Sequence, residues 1–237
     1  MVQVPRLYVP GHIVPGSITL TADQVKRLGS AKRMRAGDEF RVFAGDGREW
    51  RAVAGPAAKQ GMLAEVHEVT RQEPLPQRVV EVWLPLVRPT RFEWAIEKCV
   101  EAGADIIRPL ITVPGGRTAG TSAAREERWE RIAVEAMEQC GRLHPAVVEK
   151  PVPFTDVIGR HHGVLVVAAG SGRAWADVEA LLPARGVVAV AIGPEGGWSE
   201  EELSRARSAG ALVTSLGPNI LRAETAAVVA TALLRAR

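Results

Sequence analysis

Short apolar segments alternate with segments of helical spacing over the last two thirds of this 237-residue chain. Almost continuous apolar runs are typical of strands buried on both faces. The strand-like runs are residues 79–87, 106–111, 164–168 and 187–192. Apolar residues recur at helical spacing in residues 91–102 and 126–139. This alternation predicts an α/β fold, in which helices cover both faces of a parallel sheet.

The first third of the chain has a different pattern, in which polar and apolar residues alternate along short predicted strands. Thr21 and Gln24 have the spacing of a capping box, which predicts the start of a helix. The Asp-Gly turn at residues 45–48 lies between two alternating segments and predicts a hairpin. A further alternating strand at 62–69 makes a small β-barrel the expected fold of this part.

A polar segment with two prolines, residues 71–77, separates these two patterns and is typical of a linker. We therefore expect two domains, residues 1–73 and residues 74–237. The formal net charge is +3, and the excess of basic residues lies in the first domain. Five basic residues near its helix have no acid among them and suit contacts with phosphates, although a solvated helix face would show the same pattern. They are Lys26, Arg27, Lys32, Arg33 and Arg35.

Composition argues against several classes of protein. No apolar run approaches the roughly 20 residues of a membrane-spanning helix, and the first residues lack the pattern of a signal peptide. We expect a cytoplasmic protein with no membrane partner. Cys99 and Cys140 have no close-spaced partner, so we expect two buried thiols and no metal site.

Two glycine-bearing loops follow apolar strands near the end of the chain and should open at the carboxyl edge of one sheet, where ligands of such sheets bind. The first, residues 193–197, lacks the phosphate-binding motifs. Ser199 and Glu202 have the spacing of a capping box, so the helix that follows uses part of its first amides itself, which disfavours a phosphate there. This loop is either a backbone cradle for an uncharged group such as a nucleobase or an ordinary turn.

The second loop has apolar residues inside a connection that should be solvated. Leu216, Ile220 and Leu221 are therefore expected to be buried. Arg222 follows them, and an arginine there either stabilises negative charge on a substrate or is a structural partner of Glu224.

These residues closely resemble a known family. The segments 193–197 and 216–225 are similar to the signature of the bacterial 16S ribosomal RNA uridine-N3 methyltransferases, the RsmE family of the SPOUT class. The similarity extends to residues 97–103, to Arg117 and to residues 135–142, and so covers essentially the whole chain.

The resemblance implies an N-terminal PUA-like RNA-binding β-barrel joined to a SPOUT α/β domain with a trefoil knot. It implies S-adenosyl-L-methionine as cofactor, 16S ribosomal RNA in a small-subunit particle as substrate, and a homodimer. Arg222 would stabilise the charge that develops on the uridine carbonyl oxygens, with Glu195 and Glu224 as weaker catalytic candidates.

The same resemblance assigns binding residues. Those expected to hold the cofactor are Ala168, Ala169, Gly170, Ile192, Gly193, Pro194, Glu195, Gly196, Gly197, Leu216, Gly217, Ile220, Leu221, Arg222, Glu224 and Thr225. Arg117 and Arg142 join the five basic residues of the first domain as RNA-binding candidates. The alternatives are a SPOUT methyltransferase acting on another RNA position, an RNA-binding assembly factor without catalysis, and a nucleotide-binding α/β enzyme, which the missing phosphate motifs disfavour.

Overall fold

The computed structural model describes residues 4–29, 34–58, 61–112 and 121–236. The chain divides into two compact units. The first consists of Met1–Leu75 and Met137–Pro145, and the second of Pro76–Ala136 and Ala146–Arg237. The sequence pattern placed the boundary at residue 73, and it did not predict that the segment 137–145 belongs to the first unit.

The first unit is built on a five-stranded sheet with the strand order β1-β3-β4-β5-β2. Strand β1 pairs with β3 in parallel, and the other neighbours are antiparallel. The elements are β1 (Arg6–Tyr8), β2 (Gly16–Thr21), α1 (Ala22–Gly29), β3 (Glu39–Phe43), β4 (Arg48–Ala58) and β5 (Gly61–Gln72). A closed barrel would also require β1 and β2 to pair, so the barrel stays a prediction.

Local sequence signals explain the first unit well. The backbone N–H of Thr21 donates to Gln24 Oε1 at 2.8 Å, and the N–H of Gln24 donates to Thr21 Oγ1 at 3.3 Å. This reciprocal pair confirms the predicted capping box of α1. Gly45 and Gly47 adopt φ of +88° and +80° in the turn between β3 and β4, which confirms the predicted hairpin.

The second unit is a seven-stranded sheet in which every pair is parallel. Its order is β12-β10-β11-β6-β7-β8, and β9 also pairs with β7. The strands are β6 (Arg78–Pro85), β7 (Ile106–Ile111), β8 (Val147–Val148), β9 (Val152–Pro153), β10 (Val164–Ala174), β11 (Gly186–Ile192) and β12 (Leu212–Ser215). The helices are α2 (Pro89–Glu101), α3 (Ala123–Cys140, whose last four residues belong to the first unit), α4 (Phe154–Val157), α5 (Trp175–Glu179), α6 (Glu200–Ser208) and α7 (Ala223–Arg235).

Helices cover both faces of this sheet, as the sequence predicts. Helix α7 packs on β6 and β11 and also against α2. Side chains of α4 and α6 share one buried cluster with Trp83 of β6 and with Ala189 and Ala191, which are alternate residues of β11. Because all the strands are parallel, the carboxyl ends of β10, β11 and β12 lie at one edge.

Strand β10 is longer than the predicted segment 164–168. Its register with β12 shifts, so that Thr214 pairs with both Ala168 and Arg173, and the residues between them project from the strand. A Cβ at Gly172 would overlap the backbone of Thr214. Glycine is therefore required where the end of β10 comes close to β12.

The two thiols differ. Cys99 is buried in α2, and burial raises its pKa to about 12. Cys140 is exposed at the last residue of α3, so the expectation that it is buried is wrong.

Within the described residues, no helix combines the length and the apolar character that crossing a bilayer requires. The same residues contain no cluster of metal-ligand side chains.

Candidate functional site

A cavity of about 770 Å³ opens at the sheet edge where β10, β11 and β12 end. This volume lies within the range of about 300–1,000 Å³ that is typical of small-molecule sites. Three stretches of chain form its walls. They are residues 193–197 after β11, of which all but Gly196 line the cavity, residues 215–222 from the end of β12 onward, and residues 168–171 where β10 projects.

The first wall, residues 193–197, is joined to the helix that follows it. Ser199 Oγ accepts from the N–H of Glu202 at 3.1 Å, and Glu202 Oε2 accepts from the N–H of Ser199 at 2.9 Å. This confirms the predicted capping box of α6. Since the box uses two of the amides at the start of the helix, the wall is a weaker grip for phosphate and offers mainly uncharged backbone.

Trp198 links the first wall to the third. Its indole N–H donates to the carbonyl oxygen of Ala168 at 2.9 Å, and its ring packs against Phe154 with 4.4 Å between centroids. A Cβ at Gly193 would come within 3.0 Å of the indole nitrogen. Gly193 therefore gives the indole the space that it needs beside the wall.

The second wall, residues 215–222, is held mainly by a turn of its own. Ser215 Oγ donates to the carbonyl oxygen of Gly217 at 2.9 Å and lies 3.4 Å from the N–H of the same residue. Leu216 and Leu221 are half-buried, but Ile220 is fully exposed at the rim of the cavity. The expected burial of Ile220 is wrong for the single chain, because the loop projects from the sheet edge and turns this side chain outward.

Three glycines, one in each wall, leave room in the cavity. A Cβ added to Gly170, Gly197 or Gly217 would meet no atom within 4 Å. Close packing inside the protein therefore does not explain these glycines, although the positive φ of Gly197 (+74°) and Gly217 (+137°) also favours glycine at those two positions. Space at the backbone is what a bound molecule would use.

Arg222 lies beside the cavity at the N-cap of α7. Its side chain is exposed, and it has no hydrogen bond or ion pair within the described ranges. Helix α7 starts at Ala223, directly after Arg222. The guanidinium is therefore free to contact a ligand.

Arg91 of α2 lies at the same edge, and the sequence reasoning missed its role. Its guanidinium pairs with Glu195, and its Nε lies 3.7 Å from Glu224 Oε1. Glu224 is nine-tenths buried, and its Oε2 has no hydrogen-bond partner among the described residues. Arg222 is therefore not the structural partner of Glu224, which was one of its two expected roles, because Arg91 pairs with Glu224 instead.

A signal for Arg91 was present in the sequence. Pro89 opens α2 directly after β6, which places Arg91 in the first turn of a helix at the carboxyl edge of the sheet. Ligands of parallel sheets bind at this edge, and the rule that identified the two loops therefore also identifies Arg91.

Most of the residues expected at the cofactor site line this cavity. They are Ala168, Ala169, Gly170, Ile192, Gly193, Pro194, Glu195, Gly197, Leu216, Gly217, Ile220, Leu221 and Arg222. Gly196, Glu224 and Thr225 do not line it. Gly196 is exposed, and Glu224 pairs with Arg91.

The RNA-binding candidates have different surroundings. Lys26 and Arg35 are exposed in the first unit. Arg27 is mostly buried and pairs with Glu138 at 3.2 Å and with Asp23 at 3.1 Å. The Nε of Arg142 donates to the carbonyl oxygen of His144 at 2.9 Å. These internal partners leave Arg27 and Arg142 less available than Lys26 and Arg35. Lys32, Arg33 and Arg117 lie outside the described residues.

Comparisons with known proteins agree on one family. The RNA methyltransferase domain family matches residues 73–235. The ribosomal RNA small subunit methyltransferase E of Synechocystis sp. is 35% identical over 99% of this chain and 78% of its own length. The Bacillus subtilis protein of the same name is 28% identical over 90% of this chain and 88% of its own.

Two solved structures are similar along almost their whole length. A methyltransferase from Legionella pneumophila in complex with the bound cofactor SAM has a TM-score of 0.88 and 29% identity, covering 99% of this chain and 98% of that chain. The ribosomal RNA small subunit methyltransferase E of Neisseria gonorrhoeae, bound to S-adenosyl methionine, has a TM-score of 0.85 and 26% identity with the same coverage.

Proposed function

Because the chain belongs to the ribosomal RNA small subunit methyltransferase E family, we propose that it transfers a methyl group from S-adenosylmethionine to N3 of a uridine in 16S ribosomal RNA. The observation that carries this proposal is the cavity between the two glycine-bearing loops. It has the size of a small-molecule site and lies where ligands of parallel sheets bind.

The walls fit this cofactor. Gly170, Gly197 and Gly217 present backbone with no atom in the place of a side chain, which suits close approach of a nucleoside. The first wall offers uncharged backbone to the flat base, and the half-buried Leu216 and Leu221 of the second wall offer apolar surface. When bound, S-adenosylmethionine supplies a methyl group on a positively charged sulfur.

Arg222 is the residue that we place in the reaction. As N3 takes the methyl group, its proton passes to solvent water, and its loss puts negative charge on the two neighbouring uridine carbonyl oxygens. A guanidinium at the cavity that no described side chain neutralises can stabilise that charge as it develops. Alignment of the base in the cavity supplies the rest.

Glu195 and Glu224 act through Arg91 in this proposal. Both carboxylates are paired with its guanidinium, so their first effect is to hold α2, the first wall and the start of α7 together. Glu195 also lines the cavity and remains the nearer of the two to a ligand.

The remaining parts of the assignment follow the family. We propose a PUA-like RNA-binding domain at residues 1–73, a knotted SPOUT domain at residues 74–237 and a cytoplasmic location. The exposed Lys26 and Arg35 support RNA binding by the first domain. The fully exposed Ile220 supports a homodimer that covers the second wall.

A methyl-transfer assay tests the proposal. The purified protein is incubated with labelled S-adenosylmethionine and small-subunit particles from a strain that lacks this protein, and the 16S RNA is digested to nucleosides for mass spectrometry. We expect 3-methyluridine at one position. A methyl group on another atom, or none at all, would contradict the proposal.

A further inference from the structure

A second cavity, of about 330 Å³, adjoins the cofactor cavity in the second unit. The projecting end of β10 forms one side of it, and α5, α6 and β12 form the others. Ser171 lines both cavities, so the two share a wall. A long ligand whose end lies in the first cavity would pass beside the second.

Two arginines from different elements line this second cavity. Arg173 lies at the end of β10, where its carbonyl oxygen accepts from Thr214 Oγ1 at 3.2 Å. Arg207 lies in the last turn of α6. Both side chains are exposed, and neither guanidinium has a hydrogen bond or an ion pair with any residue that the structure describes.

The neighbouring Arg205 shows what an ordinary surface arginine of α6 does. Its Nη2 pairs with Glu201, one turn away on the same helix, at 2.7 Å. A cation in the last turn is favourable to the helix dipole, and Arg205 already supplies one. The helix dipole cannot account for Arg173, because Arg173 lies on a strand. It therefore does not explain why two arginines from different elements line the same cavity.

The chemistry of the lining selects the charge of a ligand. No carboxylate lines this cavity among the described residues, although Asp177 and Glu179 flank the buried Val178 that does. Two positive charges with no acid between them favour an anion. A guanidinium binds the oxygens of phosphate in pairs, and the hydroxyl of Ser171 adds a further donor.

We propose that this second cavity binds a backbone phosphate of the RNA substrate, next to the nucleotide whose base enters the cofactor cavity. Arg173 and Arg207 contact its oxygens and thereby hold the RNA in register with the reacting base. The inference rests on the proposed function, because only an RNA substrate brings a chain of phosphates past the shared wall at Ser171.

Two variants test it, Arg173→Ala and Arg207→Ala, with Arg205→Ala as the control, which removes the same charge from the helix that carries Arg207. Binding of small-subunit particles lacking the methyl group is measured as a function of salt. We expect Arg173→Ala and Arg207→Ala each to weaken binding about five- to tenfold and to lower the slope of log affinity against log salt by about 1. Arg205→Ala should weaken binding less than twofold.

Two further measurements separate the possible failures. Affinity for S-adenosylmethionine and the thermal unfolding temperature should match the wild type in all three variants, since these side chains are exposed. If Arg173→Ala and Arg207→Ala weaken RNA binding no more than Arg205→Ala does, the phosphate site is wrong. If the wild-type protein transfers no methyl group, the proposed function is wrong, and the RNA-binding series still decides the phosphate site.

Discussion

The two glycine-bearing walls of the cavity are built in different ways. Residues 193–197 lead into a capped helix, and Trp198 beside them is bonded to Ala168 and packed on Phe154. Residues 215–222 are held by a turn at Ser215, while Ile220 is fully exposed and the Arg222 side chain makes no cap bond. Bonds and packing within the chain hold the first wall, whereas the apolar Ile220 and the basic Arg222 of the second wall are exposed and can contact other molecules.

This difference indicates that the two walls have different roles. A wall with internal bonds keeps its shape before a ligand arrives, which lowers the entropic cost of binding. A wall with free side chains can contact a substrate or a second copy of the chain. We therefore assign cofactor positioning mainly to the first wall, and substrate and partner contacts mainly to the second.

The largest expected effect is that of Arg222→Ala on the rate. Removal of the free guanidinium should lower kcat for methyl transfer about 100- to 1,000-fold, the usual cost of losing one group that stabilises developing charge. Affinity for S-adenosylmethionine, measured by calorimetry, should stay within about twofold. Full activity in this variant would remove Arg222 from the reaction.

Trp198→Ala tests the first wall. It removes the bond to Ala168 and the packing on Phe154, so the free energy of unfolding should fall by about 2–3 kcal/mol, less than for a fully buried tryptophan. The matched variant Trp198→Phe keeps an aromatic ring and should lose only about 1 kcal/mol. Chemical denaturation measures both. Equal stability of Trp198→Ala and the wild type would show that this wall does not depend on the indole.

Arg91→Ala tests the carboxylate pairs behind the first wall. It leaves the buried Glu224 without its cation, and the partial exposure of Arg91 limits the expected loss of unfolding free energy to about 1–2 kcal/mol. Lys98→Ala, on the same helix and paired with exposed carboxylates, is the control and should cost less than about 0.5 kcal/mol. A similar cost for both variants would mean that Arg91 has only a surface role.

Ile220→Ser should have the smallest effect on the single chain. Because the side chain is fully exposed, the free energy of unfolding measured at dilution should change by less than about 0.5 kcal/mol. Sedimentation should show weaker self-association if a second copy covers this residue. A large loss of stability in the dilute monomer would show that the second wall is packed within the chain after all.

Local signals predicted much of the fold. The capping boxes at Thr21 and Ser199 specify helix starts within four residues, and the apolar runs specify the parallel sheet without information from distant parts of the chain. The predicted edge then placed both loops at one cavity.

Long-range pairs were not predictable in the same way. Arg91 and Glu195 are 104 positions apart, and no local pattern joins them. The expected burial of Ile220 treated an apolar loop residue as one that its own chain must cover. An exposed apolar side chain is equally compatible with a ligand or a second copy, and a single sequence does not distinguish these.

A crystal structure of this protein with S-adenosylmethionine tests the central claim most directly. We expect the cofactor between residues 193–197 and 216–221, with backbone at Gly193 and Gly217 against it and the Arg222 guanidinium unpaired beside the methyl group. Cofactor bound elsewhere, or crystals that stay empty at saturating concentration, would contradict the assignment of the two loops as its walls.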